Sequence, residues 1–240
     1  MRKLSFDFEM SRVSALVIDD EEQIRRVVRR ALSDNFARVL EADSGSAGID
    51  IAAAERPELI VLDLSLPDMD GRAVCAELRR WSTSAILVLS ARHANDEKIA
   101  LLNAGADDYL TKPFNTLELQ ACARALIRRV APRESSGVSI ITCGELAMDL
   151  AARTVTLAGR IVHLTPIEWD LTRELMSHSG RTMTHKQLLA AAWPRKSAGD
   201  AQQYLRVHVA NVRRKIETNP IKPRYIFTEP GIGYRFASCD

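Results

Sequence analysis

Leu59-Ile60-Val61-Leu62-Asp63-Leu64-Ser65-Leu66-Pro67-Asp68-Met69-Asp70-Gly71 is the stretch from which the fold can be read. Four apolar residues run into an aspartate, and Pro67 and Gly71 then turn the chain. A short run that is apolar on both faces reads as a strand inside a parallel sheet, where crossover helices cover both sides. Ligand chemistry in such sheets gathers beyond the carboxyl ends of the strands, which is where Asp63 falls. A carboxylate there is costly unless something positive meets it.

The flanking sequence repeats the pattern. Val13–Ile18 reads as a first strand ending in Asp19-Asp20-Glu21-Glu22. A helical pattern follows, with Ile24, Val27, Val28, Ala31 and Leu32 inward and Arg25, Arg26, Arg29 and Arg30 outward. A strand near Ala37–Glu41 and a helix Ser44–Glu55 precede the Asp63 strand. After it come a helix Gly71–Arg80, a strand Ala85–Leu89 ending in Ser90, and a helix Asn95–Ala104. A strand Asp108–Thr111 then ends in Lys112-Pro113-Phe114, and Asn115 caps a helix Thr116–Arg129. Five strand–helix alternations predict a five-stranded parallel sheet with helices on both faces.

Parallel topology brings the strand ends to one rim, so Asp19, Asp20, Asp63, Ser90 and Lys112 are predicted to meet there. Two carboxylates ~4 Å apart repel by about 4 kcal/mol at an effective dielectric near 20. Three together call for a cation, and hard oxygen donors without nitrogen or sulfur suit Mg²⁺. With metal and ammonium sharing the charge, Asp63 can take a phosphoryl group as an acyl phosphate. A single aspartate at a strand end is more often a turn or cap; the joint placement outweighs that reading.

At 240 residues the chain suits one large or two modest domains, and an apolar share of 46% supports real cores. No apolar run approaches the ~20 residues that span a bilayer, so no membrane segment is predicted. Residues 1–12 are charged and mixed, a tail without a secretory signal. The four cysteines, Cys75, Cys122, Cys143 and Cys239, are scattered and read as reduced thiols of a cytoplasmic protein. The net charge of +2 hides an asymmetry. Residues 138–240 carry 14 Lys+Arg against 9 Asp+Glu, while residues 1–137 carry 19 against 22. A basic second half hints at a polyanionic partner.

The Asp-Asp pair, "LDLSLPDMDG", "LSAR" and "ADDYLTKPF" resemble the receiver domain of bacterial two-component response regulators, over residues 13–130. The resemblance implies a flavodoxin-like (βα)5 fold with Asp63 as phosphoacceptor. It implies Mg²⁺ held by Asp20, Asp63 and the Ser65 carbonyl, with Asp19 assisting, and a sensor histidine kinase as phosphoryl donor. Ser90 and Lys112 become phosphoryl-sensing residues, Tyr109 the aromatic coupled to Ser90, and Lys112-Pro113 a cis bond. It further implies activation by homodimerisation through the fourth helix, fifth strand and fifth helix, which carry Lys98, Asp107, Asp108, Glu118, Arg124 and Arg128. Cys122 stands where relatives typically carry an arginine of that interface, which removes a pair worth ~1 kcal/mol or less.

Ala131–Gly137 turns to Pro, Ser and Gly and reads as a linker, followed by a second domain over 138–237. Short antiparallel strands are predicted at Glu145–Asp149, Thr154–Ala158 and Ile161–Leu164. Thr165-Pro166-Ile167-Glu168 is a helix start with Thr cap, first-position Pro and third-position Glu. A second helix spans Lys186–Trp193 and a third runs from Asp200 to about Glu217. On the third, Leu205, Val209, Val212 and Ile216 form the inward stripe. Gln203, Val207, Ala210, Asn211 and Arg214 are predicted to face outward, edged by Arg206 and Arg213 on one side and Tyr204, His208 and Lys215 on the other. Such a face suits the major groove of double-stranded DNA: Asn211 for adenine, Val207 and Ala210 for thymine methyls, the rest for phosphates.

A hairpin, Tyr225–Thr228 and Tyr234–Phe236, follows. With "LTPIEWDL" and "GIGYRF", this half resembles the winged helix-turn-helix domain (α+β) of the OmpR/PhoB class. The resemblance implies binding to adjacent half-sites, a backbone contact from Thr228, a wing at Glu229–Gly233, and RNA polymerase meeting the Pro194–Gly199 loop. Pro230 departs from the arginine that many relatives place in the wing. "EKIALLNAGADDYLTKPF", "MDLAARTVTLAGRIVHLTPIE" and "KPRYIFTEPGIGYRF" look most like the branch that regulates Kdp potassium-transporter operons. A regulator of another regulon stays open, as does, in a different class, a phosphatase with an aspartyl-phosphate intermediate. A phosphatase wants a second aspartate two residues after the nucleophile, where this chain has Ser65.

Overall fold

The computed structural model describes residues 13–91, 95–130, 140–192 and 198–239, with the backbone alone described at 95–98, 129–130 and 198–201. The tail 1–12, the linker 131–137, residues 194–197 of the Pro194–Gly199 loop and the Lys98 side chain therefore lie outside the described residues. The chain divides into two compact units, Met1–Ala131 and Pro132–Asp240.

The first unit alternates β1 (Ser14–Ile18), α1 (Glu22–Leu32), β2 (Arg38–Ala42), α2 (Gly45–Glu55), β3 (Leu59–Asp63), α3 (Gly71–Arg79), β4 (Ala85–Ser90), α4 (Asn95–Asn103), β5 (Asp108–Thr111) and α5 (Thr116–Val130). The sheet is parallel throughout, in the order β2-β1-β3-β4-β5. Successive strand residues point to opposite faces, and both faces are filled. Ala15, Val17, Leu59, Val61, Leu87 and Leu89 pack with Val28 and Leu32 of α1 and Leu119, Ala123 and Leu126 of α5. Leu16, Ile18, Ile60, Leu62, Ile86 and Val88 pack with Ala52 of α2, Val74 and Leu78 of α3, and Leu101 of α4. This double burial is why β3 is apolar without alternation. Each buried Leu, Ile or Val contributes about 1.5–3 kcal/mol.

The second unit begins with a four-stranded antiparallel sheet, β6 (Ile140–Cys143), β7 (Leu146–Asp149), β8 (Thr154–Leu157) and β9 (Arg160–Val162). Helix α6 (Pro166–Ser177) opens with a full capping box: Thr165 N–H donates to Glu168 Oε2 at 2.9 Å, and Glu168 N–H to Thr165 Oγ1 at 3.4 Å. After β10 (Thr182–Thr184) come α7 (His185–Ala192), α8 (Ala198–Ile216), β11 (Ile226–Glu229) and β12 (Gly233–Phe236), with strands ordered β10-β12-β11. Helix α8 packs on both α6 and α7. Gly233 is required by close approach, since a Cβ there would lie 1.9 Å from the Met183 carbonyl oxygen.

One expectation is corrected here. Cys143 and Cys239 are joined by a disulfide, their Cα atoms 4.8 Å apart and 96 residues apart in sequence, whereas Cys75 and Cys122 are free. The scattered spacing hid the pairing, because the fold alone brings the end of β6 to the segment after β12. No described helix is long and apolar enough to cross a membrane.

Candidate functional site

Strand order reverses between β1 and β3, which opens a crevice at their carboxyl ends. Ile18 pairs with Leu62, so Asp19 stands level with Asp63 on the neighbouring strand. On the other side Ser90 closes β4 opposite Thr111, and the Lys112 N–H donates to the Ser90 carbonyl at 2.7 Å. The ammonium of Lys112 lies 2.6 Å from Asp63 Oδ1, 2.9 Å from Asp19 Oδ2 and 3.5 Å from Glu21 Oε1. Asp19, Asp63 and Ser90 are buried, whereas Asp20 is exposed at the mouth. The Lys112-Pro113 bond is cis.

Burial pushes the Asp19 carboxyl up despite hydrogen bonds from Lys112 and the Glu21 N–H. Burial also works against the charge on Lys112, but hydrogen bonds to Asp63 and Asp19 outweigh it and the ammonium titrates above its ordinary range. Asp63 Oδ2 accepts the Ser65 N–H at 2.7 Å, so both carboxylate oxygens are oriented.

The loop after Asp63 is fixed by its own backbone. Gly71 N–H donates to the Leu64 carbonyl at 2.9 Å. A Cβ on Gly71 would come within 2.3 Å of the Asp63 carbonyl oxygen and 2.7 Å of Leu64 Cα, so only glycine lets α3 start this close. Asp70 caps α3 by accepting the Arg72 N–H. Asp68, to which sequence reasoning gave no role, reaches across to α2. Its two oxygens accept the Gly45 and Ser46 N–H groups at 2.8 Å each. Those two donors hold its carboxyl down to about 2. An aspartate five residues after the strand end was the available signal, but nothing local pointed to α2.

The donor chemistry fits a hard cation. Asp19, Glu21 and Asp63 surround the Lys112 ammonium, Asp20 adds a fourth carboxylate to the same strand-end segment, and the Arg25 guanidinium donates to the Asp19 and Asp20 carbonyls. Asp19 and Asp63 are both engaged, Asp19 by Lys112 and the Glu21 N–H and Asp63 by Lys112 and the Ser65 N–H, while Asp20 is exposed beside them. Among the described residues no three His, Cys, Asp or Glu side chains form a ready cage. A metal such as Mg²⁺ takes few carboxylates and keeps several waters, so it would not need such a cage.

One predicted interface position is corrected. Asp107 is 0% exposed; its Oδ2 accepts Arg79 Nη2 at 2.6 Å and the Ile86 N–H at 2.8 Å. It is a structural carboxylate tying α3 to the head of β5, unable to meet a second subunit. Asp108, 9% exposed at the start of β5, accepts the Tyr109 N–H through Oδ1. Glu118 and Arg128 are exposed on α5 and Arg124 is half-buried. Tyr109 is half-buried against the cluster of Leu62, Ile86 and Val88.

In the second unit, α8 buries a wider arc than its single apolar stripe suggested. Tyr204, His208 and Asn211 are buried together with Leu205, Val209, Val212 and Ile216, because two helices, α6 and α7, pack against it. These three residues are therefore removed from the predicted DNA-facing surface, and Asn211 accepts a hydrogen bond from Arg214 Nη1 instead. Gln203, Arg206 and Arg214 are exposed, and Val207, Ala210 and Arg213 half-exposed. Arg213 donates to the Ile226 carbonyl through Nε and Nη2 and to Thr228 Oγ1 at 2.8 Å, tying α8 to the hairpin. Lys215 lies 2.6 Å from the capping carboxylate Glu168. Glu217 accepts the N–H groups of Arg224, Tyr225 and Ile226 at 2.7–2.9 Å. On the wing, Arg235 donates to Glu229 at 2.9 Å and lies over the Phe227 ring, a pairing the sequence did not suggest.

An acidic strand-end pocket around one lysine, on a unit followed by a helix-turn-helix and hairpin, defines a phospho-accepting receiver fused to a winged-helix DNA-binding domain. Family models agree: residues 15–124 match the response regulator receiver domain and residues 159–236 the C-terminal domain of transcriptional regulatory proteins. The chain is 43% identical over 223 residues to the KDP operon transcriptional regulatory protein KdpE of Escherichia coli strain K12, covering 93% of this chain and 98% of that one. It is 41% identical to the transcriptional regulatory protein KdpE of Mycobacterium tuberculosis, covering 92% and 97%. Among solved structures it is similar to the response regulator DrrB, a Thermotoga maritima OmpR/PhoB homolog, with 28% identity, coverage of 94% and 99%, and a TM-score of 0.50. The chain belongs to the OmpR/PhoB class of two-component response regulators. It is a KdpE-like DNA-binding transcriptional regulator, and a phosphatase is not favoured.

Proposed function

We propose that Asp63 is the phosphoacceptor and that its phosphorylation controls transcription of a potassium-transport operon of the Kdp type. The lysine–aspartate geometry supports the first part most directly. Lys112 holds Asp63 and Asp19 together at the sheet rim, so a phosphoryl group arriving on Asp63 meets an ammonium already in place. The KdpE relatives, similar over nearly their whole length, support the second.

The phosphoryl donor is the phosphohistidine of a KdpD-like sensor histidine kinase. Asp63 attacks phosphorus, the P–N bond breaks, and the acyl phosphate forms. Asp20, Asp63 and the Ser65 carbonyl would hold Mg²⁺, with Asp19 assisting from beside Lys112, and the ion would supply positive charge to offset the crowded oxygens. Lys112 and the Ser90 hydroxyl take up the new phosphoryl oxygens, and Tyr109 relays the change to the outer edge of the sheet. Asp63 acts once per phosphoryl group received, as a switch rather than a turnover centre, since Ser65 supplies no acid to a leaving group.

Phosphorylation then favours a homodimer across α4, β5 and α5, with Glu118, Arg124 and Arg128 among the contributing charges. Two winged helices thereby meet adjacent half-sites on double-stranded DNA. Arg206, Val207, Ala210 and Arg214 are the contacts on α8, with Arg213 and Thr228 at the wing base, and RNA polymerase is recruited in the cytoplasm. The test is acyl phosphate with Mg²⁺, read by intact mass and sedimentation velocity. A phosphoryl adduct on wild type, none on Asp63→Asn, and a shift to dimer in the adduct alone are expected. An adduct that survives Asp63→Asn would sink the assignment.

A further inference from the structure

We infer that Cys143 and Cys239 are an oxidation site that reversibly staples the DNA-binding unit. Cys143 ends β6, the edge strand of the four-stranded sheet, and is buried. Cys239 follows β12, the central strand of the wing sheet, and is half-buried. Their Cα atoms are 4.8 Å apart, inside the 4.4–6.8 Å range that a disulfide bridges without backbone movement. Both segments are anchored by other means. Cys143 pairs in register with Leu146, and Ala237 N–H donates to the Tyr225 carbonyl at 2.8 Å. The folded backbone itself therefore presents the two sulfurs to each other, so reduction opens the bond and leaves the fold standing.

Cytoplasmic thiols are kept reduced, and disulfides there are usually transient and redox-sensing. Hydrogen peroxide supplies the oxidant in balance. The more exposed Cys239 thiolate attacks one peroxide oxygen, the O–O bond breaks, and a sulfenic acid and one water result. The Cys143 thiolate then attacks the Cys239 sulfur, the S–O bond breaks, the S–S bond forms, and a second water leaves. Two thiols lose two electrons and two protons in all; a dithiol reductant reverses the exchange. The other thiols are poorly placed to compete in that unit. Cys75 is buried in the receiver, where burial raises its thiol to about 11.

The consequence follows from chain topology. The bond closes a loop of 96 residues within the unit Pro132–Asp240, fastening its first described strand to its tail. Closing so long a loop restricts the unfolded chain more than the folded one.

The test uses the full-length protein, reduced with dithiothreitol or oxidised with hydrogen peroxide. Alkylation and peptide mass mapping are followed by calorimetry, with unfolding transitions assigned by hydrogen exchange. Oxidation is expected to link the Cys143 and Cys239 peptides within one chain and leave Cys75 and Cys122 alkylatable. The effector transition should rise by roughly 10 °C while the receiver transition stays put. Cys239→Ser and, independently, Cys143→Ala should hold the effector transition at its reduced position under both conditions. Four alkylatable thiols after peroxide, a link through Cys122, or a linked protein with an unmoved effector transition would each overturn the inference.

Discussion

Lys112 Nζ lies 2.6 Å from Asp63 Oδ1, closer than to Asp19 or Glu21, so the proposed phosphoacceptor already has an ammonium as its counter-charge. A divalent cation bound at this rim would have to share Asp63 with that ammonium. Removing it in Lys112→Ala deletes a like charge from the metal's surroundings, so Mg²⁺ should bind tighter, by about 10-fold given how steeply close charges interact at intermediate dielectric. Phosphorylation-dependent dimerisation should be lost in the same variant. Titration calorimetry checks the first outcome and sedimentation the second; an unchanged Mg²⁺ affinity would show that Lys112 does not compete for Asp63.

Asp68 gives the receiver an acid-sensitive joint. Its carboxyl sits at about 2, held down by the Ser46 and Gly45 N–H groups, against about 3.9 in an unfolded chain. The folded value is the lower one, so the stabilisation is fully present above the unfolded value and is lost as pH falls through the folded one. Asp68→Ala should lower the receiver's melting temperature at pH 7, and the gap from wild type should shrink between about pH 4 and pH 2. A gap that stays constant across that range would rule out the ionised cap.

Glu217 shows how one carboxylate can hold a wing in place. It accepts three backbone N–H groups at the start of β11, two of them buried. Each buried donor left unmet costs about 1–3 kcal/mol. Glu217→Ala should therefore destabilise the effector unit by about 3 kcal/mol, and Glu217→Gln, which keeps one acceptor oxygen, by clearly less. Denaturant unfolding of the two variants should leave the receiver transition unmoved; equal losses in both would mean that the three hydrogen bonds are not the cause.

These variants mark where sequence stops being legible. The doubly apolar β3, the Thr165–Glu168 capping box and the shared rim of Asp19, Asp63 and Lys112 could be read because each follows from local pattern or from parallel topology. Asp68, Arg79 with Asp107, and Glu217 could not. A polar side chain that satisfies distant backbone looks in sequence like one that faces water, since its partner is chosen by tertiary packing. Tyr204, His208 and Asn211 were misplaced for a related reason. A helix packed on two neighbours buries more than one stripe, and its second buried edge is not apolar. The Cys143–Cys239 pairing likewise depends on sheets meeting, which spacing cannot reveal.

The corrected face of α8 separates the proposed DNA contacts from packing. Arg206 and Arg214 are exposed, whereas Asn211 is 5% exposed and accepts from Arg214. An arginine that holds a phosphate should weaken binding to all sequences alike and lower the slope of log affinity against log salt by about one when removed. Arg206→Ala is expected to do this without changing the melting temperature. Asn211→Ala should act the other way, lowering the effector's melting temperature while leaving the preference among operator variants intact. Binding isotherms on a panel of duplexes at several salt concentrations, paired with thermal melts, distinguish the two. If Asn211→Ala instead relaxed the preference at one adenine and left the melt untouched, the side chain would have to turn outward on DNA, and the division between buried and reading faces proposed for this helix would be wrong.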